Sequence, residues 1–497
     1  MAAETNDRVV PGIDQYFRMA KHPTRRSAAR ALRDIPSGLT IMTETAVTAV
    51  LADDQRGKRC DACFKVNPKL IQCPKCKEVW YCDDQCLQRL RDAHHTRLCP
   101  SLEVLLNALQ AQVSGDAEAC RLARKDVLLL LQLVCTLYST PEAQDIIPRV
   151  VTDPPTQPLD FDNPASVFAH LLPAKDPPRF PVPYPFFPVV SDAPRAGQRH
   201  RDKILLYLAN RFHNNNFGCW TSDMEPLADG IFPVASRVFN HSCRPNCVII
   251  YEITPKGLVL EVKAVRRIAK DEELTISYVD PAIWLGARRS LLKMNYDFVC
   301  DCPKCVAEGE KKLYTSSTWL TEEEMVDAGA DLMKLMLPFP PEQKVTPQRP
   351  LLAPVPISRG IEELPRNVLP MFNSTNLPKV AQRFSDAAHD GEHSAAVSCG
   401  KLVLAIYLVH YTSFWPMVGL HCFELSKAMW NEYVAAPSPT ATGRRQQLFE
   451  ALCCAEWGFH ILGVSVARNG DGGSSIGPTE EIHRFRAHVL AEWKSLP

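Results

Sequence analysis

Asn240-His241-Ser242-Cys243, Leu274-Thr275-Ile276-Ser277-Tyr278 and Cys300-Asp301-Cys302-Pro303-Lys304-Cys305 follow one another near the middle of the chain. The last of these, a C-x-C-x-x-C run, offers three thiol ligands on one short loop, one fewer than a closed tetrahedral zinc site takes. Cys243 can supply the fourth. A zinc ion held by Cys243, Cys300, Cys302 and Cys305 would tie that loop back onto Asn240-His241 and build a pocket between the two. A tyrosine at a strand end, Tyr278, lies in sequence between them. A pocket of that kind points to an enzyme rather than to a zinc finger alone.

A second set of ligands stands upstream. Cys60-x2-Cys63, Cys73-x2-Cys76, Cys82-x3-Cys86 and His95-x3-Cys99 are four pairs, each spanning one knuckle or one helical turn. Both members of a pair can therefore face one metal. Eight ligands make two tetrahedral sites. The pairs lie too close for two fingers in series, so an interleaved arrangement is expected, first pair with third and second with fourth. Few residues remain for a hydrophobic core, so the metals would hold this segment folded. His94 also lies next to His95; His95 and Cys99, at i and i+4, share a helical face, which favours His95.

Composition sets the frame. The chain has 497 residues, 56 basic and 56 acidic, and a formal net charge of zero. That balance gives no electrostatic reason to expect nucleic acid or a membrane as a partner. No apolar run reaches the roughly 18 residues of a membrane span, and Met1-Ala-Ala-Glu-Thr-Asn-Asp-Arg8 carries no signal-peptide pattern. The expected location is cytoplasm, nucleus or both. In such a reducing compartment nineteen cysteines argue for metal rather than disulfides. The eight cysteines outside the ligand sets are read as core packing.

The rest of the chain is read coarsely. Leu39–Met42 and Ala46–Leu51 are strand-like, after a turn at Asp34–Gly38. Residues 100–140 are helical, 148–200 proline-rich and irregular, and a helix runs from about Arg201 to Phe212. Cys247–Ile253 and Leu258–Val265 form a hairpin, with Leu274–Tyr278 as a third strand. Pro338–Pro370 reads as an extended linker. Helices near 375–390, 394–410, 416–435, 444–468 and 478–495 suggest an α-solenoid of tetratricopeptide type.

The eight-ligand cluster, with Trp80-Tyr81-Cys82, resembles a MYND zinc finger. The succession Asn240–Cys243, Glu272-Glu273-Leu274 to Tyr278, and Tyr296-Asp297-Phe298-Val299-Cys300 resembles a SET domain. A finger inserted after the first strands and a helical C-terminal domain together resemble the SET-and-MYND family of S-adenosylmethionine-dependent protein-lysine methyltransferases. The resemblance implies an α+β chain: a SET β-fold with an inserted MYND finger, a cysteine-rich post-SET zinc site and a C-terminal helical, TPR-like domain. Its expected divisions are 1–58 (first part of SET), 59–99 (finger), 100–200 (helical and irregular insert), 201–285 (SET core), 286–308 (post-SET zinc segment), 309–374 (proline-rich linker) and 375–497 (helical domain). It also implies three zinc ions, and protein substrates bearing lysine, histone or other. MYND fingers contact proline-rich peptides, so the finger either does so here or only braces its neighbours.

The same resemblance implies roles by position. Asn240 and His241 would hold the adenine and amino-acid parts of the cofactor, Asn216 its methionine end, and Phe298 would stack near the adenine. Tyr278 would be the catalytic tyrosine and contact the methyl site, and Tyr296 would line the lysine channel. Arg25 and Ser27 would contact the carboxylate end. At that place the family usually carries a G-x-G loop; here it is Arg26-Ser27-Ala28. The segment before Asn240 also reads as one residue longer than usual. These departures support the alternative, an inactive SET-MYND adaptor working through its finger and helical domain. The chemistry asks little of the protein: methyl transfer to an amine is an in-line displacement that needs alignment, desolvation and a neutral amine. Deprotonating a lysine of pKa about 10.4 at neutral pH costs about 4.6 kcal/mol, which an apolar, aromatic channel reduces.

Overall fold

The computed structural model describes residues 15–22, 27–112, 117–139, 159–173, 207–212, 214–255, 257–311, 322–337, 339, 354–438, 440–465 and 478–496. Arg25, Arg26 and most of the proline-rich 148–200 stretch lie outside them, as do residues 201–206 of the helix expected at 201–212.

The β-rich half is assembled from small sheets. Alternating apolar residues make Cys247–Thr254 and Gly257–Ala264 an antiparallel hairpin, and Gly257, at φ +116°, supplies the turn conformation that a side chain would oppose. Thr40–Thr45 adds to the hairpin's Gly257–Ala264 strand. A second three-stranded sheet orders Thr48–Leu51, Pro226–Ile231 and Asn216–Trp220. A two-stranded sheet pairs Phe17–Ala20 with Ala28–Ala31. Their inward faces share one core that includes Phe17, Phe232, Phe239, Leu260 and Ile276.

One strand differs from expectation. Leu274–Tyr278 contributes only Thr275–Ile276, which pairs in parallel with Asn240–His241. Asn246 enforces this, since its Oδ1 accepts from the Thr275 N–H (2.8 Å) and its Nδ2 donates to the Glu273 carbonyl (2.8 Å). The consequence is functional, because the pairing sets Tyr278 beside His241.

The finger follows Thr48–Leu51 in the chain and packs on the helix Ala117–Ser139, whose Leu129, Leu133 and Val134 are buried with Cys60, Cys73 and Cys76. A short hairpin, Ile71–Gln72 with Trp80–Tyr81, sits between ligand pairs.

The C-terminal half is helical: Asn376–Asp390, His393–His410, Pro416–Ala435, Ala441–Ser465 and Pro478–Ser495, close to the five expected segments. His393–His410 and Ala441–Ser465 are long and apolar enough to cross a membrane, yet their side chains fill the core of this domain, Leu404, Leu408, Leu452 and Trp457 among them. The linker reading of 309–374 needs correction. Helix Glu322–Met336 and the 3-10 segments Ile361–Glu363 and Arg366–Phe372 belong to the same core, with Leu332, Val368 and Phe372 buried. Proline spacing suggested extension, but apolar residues between the prolines anchor the chain to the helices.

Cys135, Cys219, Cys247, Cys422, Cys453 and Cys454 are buried in apolar surroundings as expected, while Cys399 is half-buried.

Candidate active site and metal centres

Three ligand sets come together: Cys60, Cys63, Cys82 and Cys86; Cys73, Cys76, His95 and Cys99; and Cys243, Cys300, Cys302 and Cys305. The first two are the interleaved pairs. A Zn–S bond of about 2.3 Å puts tetrahedral sulfur atoms about 3.8 Å apart. The Cys63–Cys82 and Cys73–Cys99 Sγ separations are both 3.8 Å, and Cys243 lies 4.0 Å from Cys300 and 3.5 Å from Cys305. His95 Nε2 lies 3.4 Å from Cys73 Sγ and 4.0 Å from Cys76 Sγ, so His95 is the histidine of its set. His94 is buried beside it, its Nδ1 without a partner, and burial pushes its pKa down to about 3. All three sets thus fit zinc. Donors from outside face the sulfurs: the Ala62 N–H to Cys60 (3.4 Å), Arg89 to Cys86 (3.2 Å) and Arg288 to Cys305 (3.7 Å). In the third set, hydrogen bonding to Cys300, Cys302 and Cys305 pushes the Cys243 thiol up, while hydrogen bonding from Cys243, Cys300 and Cys305 holds Cys302 down. Four thiolates this close would repel one another, and a divalent cation would balance their charge.

Cys243 is buried, and its sulfur lies 3.1 Å from His241 Nε2. His241 Nδ1 accepts the Tyr278 backbone N–H at 2.9 Å, so the neutral ring carries its proton on Nε2 and donates it toward Cys243. Both ring nitrogens therefore have protein partners. Tyr278 donates its hydroxyl proton to the Phe239 carbonyl at 2.6 Å.

Around this pair the aromatic rings gather. Tyr278 and Tyr296 have centroids 4.8 Å apart, His241 and Tyr278 5.3 Å, His241 and Phe298 5.9 Å, and Tyr296 and Phe298 6.4 Å. Asp297 makes this possible. It takes the left-handed conformation (φ 56°) at the end of helix Leu285–Tyr296, so the chain turns sharply between two aromatic residues. Burial raises the Tyr296 phenol above its ordinary pKa.

These residues line one cavity of about 1490 Å³, together with Ser27, Asn216 and Asn240. Asn240 donates through Nδ2 to the Ser27 carbonyl (2.8 Å) and to Glu273 (2.7 Å), which fixes the segment entering Ala28–Ala31. Arg25 lies outside the described residues.

The cavity has walls that local sequence reading missed. Ser236 Oγ and Asn214 Oδ1 are buried polar atoms without a protein partner, both on residues lining the cavity. Ser236 sits on the short helix Pro233–Val238, whose proline at its first position was a legible start signal. Part of the lining comes from the helical domain: Tyr411 and Trp415 stack at 5.8 Å with an 8° interplanar angle, and Tyr411 donates to Asp280 at 2.8 Å. No local pattern announces a contact across 131 residues.

The chain is similar to known SET-domain proteins. The SET domain family model matches residues 27–279, about half of the chain. "Histone-lysine N-methyltransferase ASHR1" of Arabidopsis thaliana is 23% identical over 84% of this chain and 87% of its own length. "N-lysine methyltransferase SMYD2" of Gallus gallus is 26% identical over 63% of this chain, and the match spans 65% of that protein. A solved SET domain, described as that of LSMT bound to lysine and AdoHcy, aligns over 97% of this chain and 89% of that one at 14% identity, with a TM-score of only 0.22.

Proposed function

The chain belongs to the SET-domain family, and on that premise we propose that it is an S-adenosylmethionine-dependent protein-lysine N-methyltransferase with the architecture of the SET-and-MYND enzymes. The observation that carries this reading is the ring set Tyr278, Tyr296 and Phe298 around His241, placed at one cavity wall and backed by the Cys243 ligand set.

When bound, S-adenosylmethionine supplies an electrophilic methyl group. The protein's task is to present a neutral amine in line with it. Tyr278, Tyr296 and Phe298 form an apolar surround that disfavours the ammonium form of an entering lysine and excludes water. The Tyr278 hydroxyl, fixed by the Phe239 carbonyl, orients the amine. Arg25, Ser27, Asn216, Asn240, His241, Tyr278 and Phe298 are the residues assigned to the cofactor. His241 aligns Tyr278 through its backbone and couples it to Cys243. The zinc ions held by the three ligand sets are structural: each set is complete with four protein ligands and keeps no open position for chemistry.

Substrates are proteins bearing lysine. The finger is assigned a proline-rich peptide partner, and the enzyme a cytoplasmic or nuclear location, because its cysteines are metal ligands and core residues rather than disulfide partners. An adaptor without catalysis has no need of the ring set or of the cavity.

Transfer of labelled methyl to a lysine-peptide array tests the reading, with calorimetry of S-adenosylmethionine binding beside it. Binding in the micromolar range with lysine-dependent transfer is expected. No binding at high micromolar cofactor would defeat the proposal.

A further inference from the structure

We propose that Arg237 receives the carboxylate at the amino-acid end of the cofactor, taking over the work of the missing glycine loop; this rests on the methyltransferase reading above. A G-x-G loop brings backbone N–H groups close to a ligand because nothing projects from its α-carbons. Here Ser27 and Ala28 stand at that place, and Ala28 is fully buried in strand Ala28–Ala31. With close backbone approach lost at Ser27 and Ala28, side chains must serve the charged end of the ligand, and Arg237 joins Arg25 in that work.

Arg237 is placed for it. It lies on helix Pro233–Val238 directly after Ser236, in the stretch that reads one residue long, and lines the cavity. Among the described lining residues it is the only lysine or arginine, against the aspartates Asp223, Asp280, Asp297 and Asp301. In a cavity with that balance a carboxylate is stable near Arg237 and repelled elsewhere. Arg237 Nη1 donates to Ser27 Oγ at 2.6 Å, and Asn240 holds the Ser27 carbonyl. Ser27 thus acts as a strap that fixes the guanidinium, and the group's five N–H donors allow a further bond to a carboxylate.

The test compares two ligands by calorimetry on the full-length protein. S-adenosylhomocysteine carries the amino-acid end; 5′-methylthioadenosine shares the nucleoside and sulfur but lacks it. Arg237→Ala should weaken S-adenosylhomocysteine about 10- to 100-fold, the worth of a charge-assisted bond, and leave 5′-methylthioadenosine within about twofold. Retained binding of the second ligand shows that the variant is folded. Arg237→Lys should fall between, and Ser27→Ala should show a smaller loss with the same selectivity. Equal weakening of both ligands, or no weakening of either, overturns the proposal while leaving the enzyme reading intact. A wild-type protein that binds neither ligand overturns the enzyme reading and this inference with it.

Discussion

The backbone N–H of Tyr278 donates to Nδ1 of His241 at 2.9 Å, and the opposite nitrogen of that ring lies 3.1 Å from the sulfur of Cys243. One imidazole therefore links the hydroxyl-bearing residue of the site to the third ligand set. Partners of this kind typically change metal affinity or activity 10- to 100-fold. His241→Ala should lower methyl transfer by about that factor and speed release of one zinc in three to a chelator. The other two sets lie in the finger and should release at the wild-type rate. Uniform release from all three sets would disprove the linkage.

Tyr278 makes a separable prediction. Its hydroxyl bonds the Phe239 carbonyl at 2.6 Å, so Tyr278→Phe removes the oriented oxygen while keeping the ring against Tyr296. Transfer should fall about 100-fold, the lower range for a positioned proton-handling group, with S-adenosylhomocysteine affinity changed less than threefold. Leaving one carbonyl short of a donor should cost stability by only about 1 kcal/mol. Transfer that survives the substitution would remove Tyr278 from the chemistry.

The two halves of the molecule are joined by buried charge. Arg288 and Glu308 are both fully buried and meet at 2.5 Å; Lys304 reaches Glu308 at 2.8 Å and donates to His410 Nδ1 of the helical domain at 3.0 Å. Burial lowers the Lys304 pKa and drives His410 well below its ordinary value, so His410 is a neutral acceptor. Glu308→Ala strands two cations in an apolar place and should cost about 3–5 kcal/mol. Replacing Arg288, Lys304 and Glu308 together by apolar residues should recover much of that loss. Chemical denaturation measures both; a single-variant loss under about 1 kcal/mol would mean the cluster is not effectively desolvated.

What was legible in the sequence divides along a physical line. Ligand pairs with two or three residues between them can face one metal, so Cys60-x2-Cys63 and its partners declared their sites locally, and helix periodicity declared His393–His410 and Pro416–Ala435 in the same way. Features made by distant contact did not declare themselves. The parallel pairing of Thr275–Ile276 with Asn240–His241 depends on the Asn246 side chain, and the anchoring of Ile361 and Phe372 depends on helices elsewhere in the chain. Ser27 was legible as a departure from its relatives, but its bond to Arg237 crosses 210 residues and is visible only in the fold.

Glu44 supplies a pH-dependent prediction. Its carboxylate accepts the Val234 N–H (2.9 Å) and the Ala235 N–H (2.8 Å), the first turn of the helix that carries Ser236 and Arg237. Burial nevertheless dominates and raises its pKa from an ordinary 4.5 to about 7. The folded state therefore holds this proton more tightly than the unfolded chain does. Its contribution to stability is full below about pH 4.5 and is lost as pH rises through about 7. Because the side chain is only half-buried, the loss should be about 1–2 kcal/mol, less than the shift alone implies. Asp61 and Asp126, both raised to about 6 by burial, change stability in the same direction, so the informative quantity is the difference between proteins. Glu44→Gln keeps an acceptor for the helix and removes the titration. Unfolding free energies between pH 5 and 8 should decline less steeply for Glu44→Gln than for the wild type, the gap between the two curves opening from about pH 5 and becoming constant above about pH 7. Parallel curves would exclude Glu44 as the titrating group. Glu44→Ala leaves both N–H groups without a partner, and it should weaken S-adenosylhomocysteine binding severalfold by loosening the turn that positions Arg237.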